Sequence, residues 1–210
     1  AGNAVVTGDN RQMPYSFVTS MTFSGQNKGL WQMGATWMGQ QVSSSTLTGA
    51  LSAIAVDEAV FSKTSVYVDD TGGTIGTTQL SGVLMSAEIN IANTGIREVP
   101  TADGTNYYTA HKHTAPEITY SLTFELENDS NVVSTQRTKF EADTVQLIQF
   151  TIPGTGDNEI EFRFAGRHTE FGDYSDDDGN TTVTIGGRVV YSSTDSLYFE
   201  CDVINGRATL

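Results

Sequence analysis

The chain has a single cysteine, four prolines and three histidines in 210 residues, and only 11 lysines and arginines against 25 acids. One thiol excludes an intrachain disulfide and gives no argument for an oxidising compartment. Cys201 falls in phase with Leu197, Phe199 and Val203 in the run L-Y-F-E-C-D-V-I. That period of two predicts a buried small hydrophobe rather than a reactive thiol. The shortage of cations leaves a formal net charge of −14. No window of Lys and Arg is dense enough for the basic stripe of a DNA- or RNA-binding module. Two readings of the acidity stay open: ordinary solubility, or a surface that must not adhere to nucleic acid. Long apolar runs are missing too, so no membrane span is expected. The start, A-G-N-A-V-V-T-G-D-N, has neither a basic region nor an apolar stretch, and no signal peptide is read there. These absences place the chain in a soluble, reducing compartment.

What is present is alternation. Apolar residues make up 38% of the chain, and its 21 glycines punctuate short β-branched and aromatic segments. This predicts a mainly β chain with one helix, built as a single domain over 15–210 behind an extended polar arm at 1–14. In 116–126, Ile118, Tyr120, Leu122, Phe124 and Leu126 share one face of a strand, and Thr119, Ser121, Thr123 and Glu125 the other. Val83, Met85, Ala87, Ile89 and Ile91 alternate in the same way with Leu84, Ser86, Glu88 and Asn90. Further strands are read at 15–23, after the Asn27-Lys28-Gly29 turn, at 60–68, 146–152 and 158–164, and near 181–191 and 196–204. A helix is expected over 134–145, with Phe140 as its anchor. Long loops are expected at 69–80, 93–116 and 165–180. The first is too polar to pack and too long for a tight turn, which points to a task beyond connection. Trp31 and Trp37, six apart, share a sheet face and read as core. A carbohydrate platform would instead gather them with Tyr107 and Tyr108 on one surface.

Catalytic and metal motifs are scarce. D-Y-S-D-D-D-G-N at 173–180 resembles part of a calcium loop. Setting Gly179 at loop position 6 places Tyr174 at position 1 and Ile185 at position 12, and both fail as ligands. His111 and His113 would share one face of an extended segment, yet nothing ties His168 to them. There is no P-loop, dinucleotide fingerprint, nucleophile elbow or Cys/His pair. Glu125 and Glu127 are too ordinary in an acidic β chain to be read as a glycosidase pair. No enzyme, metal or cofactor is expected.

Several features together resemble bacteriophage tail tube proteins. They are a strand–tip–strand hairpin across 66–96 with a Gly-rich tip at 69–76, and an amphipathic strand ending at Thr94-Gly95. A long loop leads into P-E-I-T-Y-S-L-T-F-E-L at 116–126. A short helix at 134–145 precedes a strand that closes on I-P-G. The resemblance is strongest over 46–154 and leaves the acidic loop at 165–180 unassigned.

The resemblance implies a β-sandwich or barrel-like domain with a flanking helix. Six copies would form a ring whose strands join into a continuous inner β-barrel, and rings would stack into a conduit for DNA. It implies a structural subunit of the virion tail, assembled in the host cytoplasm, without enzymatic activity or cofactor. Its partners would be further copies of itself, a tape-measure protein, tail-end proteins and, in a contractile tail, a sheath. DNA would pass without tight binding, and no membrane is involved. A negative lumen repels DNA and lets it slide. Glu88, Glu125, Glu127, Glu159 and Glu161 are the polar-face acids expected to line it. Asp69, Asp70, Thr71, Gly72, Gly73, Thr74, Ile75 and Gly76 are the expected contacts to a neighbouring subunit. The other reading is a monomeric β-sandwich binding module or virion decoration protein with a mobile tip.

Overall fold

A computed structural model describes residues 10–46, 58–93, 97–99, 115–126 and 130–205, with 102, 104, 107, 108 and 110–112 between them. In chain order the first strands are β1 (Arg11–Gln12), β2 (Phe17–Gln26), β3 (Gln32–Met38), β4 (Ser43–Ser44) and β5 (Ser65–Asp70). β6 (Leu84–Ala92), β7 (Arg97–Val99), β8 (Ala110–Lys112) and β9 (Glu117–Glu125) follow, then helix α1 (Ser130–Glu141). β10 (Val145–Pro153), β11 (Glu159–Phe171), β12 (Ser175–Asp177), β13 (Asn180–Val189) and β14 (Phe199–Ile204) come last. The protein is mainly β, and α1 is the one α-helix among the described residues. Two compact units are distinguished, one of residues 1–21, 34–56 and 92–116, the other of 22–33, 57–91 and 117–210.

In the first unit, β1 pairs with β4 and β7 with β8, both antiparallel. Part of the expected arm at 1–14 is thus a short strand, while residues 1–9 lie outside the described residues. The polar stretch 93–116 likewise carries a strand pair where a loop was expected. Tyr108 is buried, donates its hydroxyl to the Tyr15 carbonyl at 2.9 Å, and accepts from the Gln40 amide at its own carbonyl. The His111 ring packs against Phe17, with centroids 4.2 Å apart.

One sheet is hydrogen-bonded in the order β3-β2-β6-β9-β13-β11-β10-β5, with β12 added to β13 and β14 to β11. Strand alternation explains its two faces. In β9, Ile118, Tyr120, Leu122 and Phe124 are buried, while Thr119, Ser121, Thr123 and Glu125 keep partial access to solvent. β6 buries Ala87 and Ile89 and exposes Glu88. β10 and β11 deliver Ile148, Phe150, Ile152, Phe162 and Phe164 to the same core. Phe23 on β2 touches Phe162 on β11 at 4.8 Å between centroids, although β6, β9 and β13 separate these strands in the sheet. Only a sheet curled on itself makes that contact, so a half-barrel encloses the core in place of two facing sheets. Trp31 packs against this core, 5.4 Å from Phe61 and 6.1 Å from Phe150, with its indole N–H donating to the Thr64 hydroxyl. Trp37 is exposed, so the expected tryptophan pair does not share the core. Trp31 precedes β3 rather than lying within it, and strand phase does not carry across that boundary.

Several boundaries differ from expectation for local reasons. The helix spans Ser130–Glu141, not 134–145. It stops in a left-handed cap: Asp143 has φ 50°, its N–H bonds the Phe140 carbonyl, and the Thr144 N–H bonds the Lys139 carbonyl. This is the Schellman arrangement, here with Asp where glycine usually signals it. The segment 60–68 begins as a 3₁₀ turn at Phe61–Lys63 and becomes a strand only from Ser65. The supposed loop at 165–180 is mostly strand. β11 continues through a bulge between His168 and Glu170, which breaks the alternation. Asp178 and Gly179, both at positive φ, then form the two-residue turn of the β12–β13 hairpin. Cys201 is exposed, because β14 lies at the margin of the sheet with nothing packed over it among the described residues. Burial, then the Asp202 carboxylate, pushes its thiol pKa up, so nothing activates it as a nucleophile.

Helix α1 is joined to the sheet by a buried polar chain. The Tyr120 hydroxyl lies 2.9 Å from His168 Nδ1, and His168 Nε2 lies 2.9 Å from Gln136 Oε1 on α1. A carbonyl oxygen only accepts, so Nε2 carries the proton and Nδ1 receives the tyrosine O–H. Burial depresses the His168 pKa to about 4 and raises that of Tyr120. The tyrosine ring reaches this position by lying across Gly187, where a Cβ would be 2.2 Å from the ring and 2.6 Å from the Arg167 carbonyl.

Two outcomes are expected. Gly187→Ala forces the ring off the sheet and costs ~2–3 kcal/mol, read from urea denaturation midpoints; an unchanged midpoint would show that the ring yields freely. For His168, the unfolded imidazole takes up a proton below about 6.5, whereas the folded one refuses it until about 4. Stability is therefore full above that upper value and falls by up to ~3 kcal/mol as pH drops through the window. His168→Asn should flatten this slope, and an unaltered slope would assign it to other groups.

Candidate functional site

The tip that follows β5 is the most elaborately held loop of the larger unit. Asp69 is buried, and its carboxylate accepts backbone N–H bonds from Gly76 at 2.8 Å, Thr77 at 3.1 Å and Thr78 at 2.8 Å, besides the Thr77 hydroxyl. Burial alone would raise the Asp69 pKa, but the bonds from Thr77 and Thr78 outweigh it and hold the group below the usual carboxylate value. The chain then returns along β5: Val68 N–H reaches the Thr78 carbonyl and Leu80 N–H the Val66 carbonyl. On the far side of the tip, Gly72 N–H donates to Asp195, which also accepts from the Ser192 hydroxyl. Ile75 packs onto Leu147, Ala165 and Leu197. Asp70 pairs with Lys139 of α1.

These contacts correct two expectations. The tip does pack, through Asp69 and Ile75, despite its polar composition. The segment 66–96 is also not a hairpin. β5 ends the sheet beside β10, while β6 lies between β2 and β9. The return along 78–80 takes the place of the hairpin partner, after which the chain crosses to the other side of the sheet. Thr71, Gly72, Gly73 and Thr74 remain exposed at the apex. Within the chain, Asp69, Asp195 and Ile75 hold the tip. Asp195 was not anticipated; its only sequence signal is the turn-forming run S-S-T-D-S.

The expected lumen acids distribute as follows. Glu88, Glu125, Glu159 and Glu161 all lie on the sheet face opposite the core, alternating with Ala87, Phe124, Ile160 and Phe162, which face it. Glu127 lies outside the described residues. This face also carries arginines. Arg163 binds Glu161 at 2.8 Å, Glu200 at 3.6 Å and Asp202, and Arg167 binds Asp143 at 3.0 Å. The face is therefore a charge mosaic with acids in excess, and Glu161 is already paired. Arg137 of α1 lies over Phe171 and Tyr174, holding the β11–β12 connection against the helix.

Other sequence candidates separate. His111 is engaged with Phe17 and His168 with Tyr120 and Gln136, while His113 lies outside the described residues. Trp31 is packed among phenylalanines and Tyr108 is buried, so neither joins Trp37 and Tyr107 in an exposed platform.

The described residues thus form a curled, mainly β fold with braced loops. The family model for phage tail tube proteins matches residues 2–197, and the chain belongs to that family. It is accordingly a non-enzymatic tail tube structural protein, and membership implies self-assembly with tail proteins and a place in the virion tail. No curated protein matches the chain.

Asp69→Ala would leave the N–H groups of 76–78 without their acceptor. We expect a loss of about 2–3 kcal/mol, with faster hydrogen exchange at those amides. Unchanged exchange would show that the return strand alone holds the tip.

Proposed function

We propose that the chain is the ring-forming subunit of a phage tail tube. Six copies close into a ring in which their sheets join as a continuous inner β-barrel, and rings stack into a hollow conduit for the genome. The family match over nearly the whole chain carries this reading. The geometry supports it in two ways. The face bearing Glu88, Glu125 and Glu159 has an acid excess, and such a face turned to the lumen repels phosphate and lets DNA slide. The exposed apex 71–74 is braced from both sides, by Asp69 and by Asp195, and offers a preformed contact to a neighbouring subunit at little cost in ordering. A tape-measure protein and tail-end proteins complete the assembly, and a sheath encloses it if the tail is contractile.

Negative-stain electron microscopy of the concentrated protein, alone and with a tail-end initiating complex, tests the reading. Rings or uniform hollow tubes are expected. Particles of single-chain size under both conditions would overturn it in favour of a monomeric binding or decoration module.

A further inference from the structure

The sheet face opposite the core holds one pairing that strands ordinarily avoid. In the ladder between β11 and β13, Arg167 lies directly opposite Arg188. The Val190 N–H bonds the Ala165 carbonyl, which sets the phase of this ladder and makes the two arginines a hydrogen-bonded pair. Side chains of such a pair leave the same face with β-carbons about 5 Å apart. Both point away from the core, because His168 and Gly187, the residues that follow and precede them, lie on the buried side with Tyr120. Like charges directly opposite each other destabilise a sheet.

The surroundings do not cancel the pair. Arg167 donates from Nη1 to Asp143 at 3.0 Å, and that carboxylate is largely exposed. The Arg167 Nε is buried and meets no acceptor among the described residues. Arg188 is exposed, and the structure gives it no ion pair among the described residues. Its cross-strand neighbour on β9 is Thr119, and that of Arg167 on β10 is Val145, so the row carries no acid. Acids stand further off. Glu170 opposes Gly186 beyond the bulge, and Glu117 opens β9. Arg163, four residues earlier on β11, is already held by Glu161, Glu200 and Asp202.

A guanidinium is a planar fork that takes an oxyanion on two N–H groups. Here the unused donors are the Arg167 Nε and the whole fork of Arg188. An oxyanion seated between them would satisfy the buried donor and turn a repulsion into a bridge. The flanking acids set its size. A long polyanion would press its further charges against Asp143, Glu170 and Glu117, whereas one small anion meets the arginines alone.

We propose that Arg167 and Arg188 bind a single small oxyanion, with inorganic phosphate as the matching species, which bridges β11 and β13 beside the bulge. The site stands apart from the ring reading, since all its residues belong to one chain and to the larger unit.

Isothermal titration calorimetry of the full chain with sodium phosphate, at ionic strength held constant with sodium chloride, tests the site. Saturable binding is expected in the wild type, and Arg188→Gln should weaken it at least about tenfold, the loss of one charge-assisted fork. Thermal melting separates binding from a merely structural role. In phosphate-free buffer Arg188→Gln should melt no lower than the wild type, because a like charge has gone. Phosphate should then raise the melting temperature of the wild type and leave that of the variant unchanged. No saturable binding by the wild type, a response that chloride reproduces, or full affinity in Arg188→Gln would each overturn the site. A short DNA duplex that binds the wild type more tightly than phosphate, and is lost with Arg188→Gln, would overturn the small-anion assignment in favour of nucleic-acid backbone.

Discussion

Everything in the larger unit depends on a single sheet burying its own face. A flat sheet of these strands would leave one side of β6, β9, β10 and β11 apolar and wet. Curling brings Phe23 onto Phe162 and closes the aromatic cluster with Trp31 and Phe61. Each fully buried phenylalanine contributes on the order of 2–3 kcal/mol, so the curl outweighs the irregularities it forces elsewhere. Those irregularities are the bulge at His168, the glycines beneath Tyr120 and the open margin at β14. The helix is the second consequence. It lies against β11, where the core face carries a histidine in place of an aliphatic residue, and Gln136 satisfies that histidine from the helix side. A buried imidazole without both partners would cost more than it contributes, so the hydrogen-bonded chain fixes where α1 sits.

Strand identity was legible wherever one face is buried and the other wet. β9 is the clearest case, because its period-two pattern reports the burial of a half-covered sheet directly. Strand neighbourhood was not legible. The segment 66–96 reads as a hairpin because two good strands flank a glycine-rich tip, yet β5 and β6 are separated by the rest of the sheet. Nothing local records that residues 78–80 take the hairpin partner's place; the signal lies in the buried Asp69 carboxylate, and burial of an acid is invisible to pattern. The helix stop was hidden because Asp143 performs a glycine's task, and the length of β11 because one bulge erased the alternation used to find it. Cys201 was misread for the opposite reason. Its phase was right, but phase gives the face and not whether anything covers it.

The candidate surface shows the same division. Assigning Glu88, Glu125, Glu159 and Glu161 to the polar face needed only alternation, and they lie there. Their electrostatic environment needed partners from distant parts of the chain. Arg163 neutralises Glu161 and gathers Glu200 and Asp202 across the β11–β14 ladder, a relation that two separate sequence segments do not reveal. The arginines therefore pattern the field of this face.

The tip and the open edges answer different needs of a self-associating subunit. A loop that meets a neighbour gains most when the chain has already ordered it, because little conformational entropy remains to be lost on contact. Asp69 and Asp195 do this from opposite sides of the apex. An unpaired strand carries the opposite hazard: it pairs with any compatible edge, including a copy of itself in the wrong sense. A strongly acidic chain resists such encounters, since like-charged surfaces repel at distances near the Debye length. Net charge then keeps free copies apart.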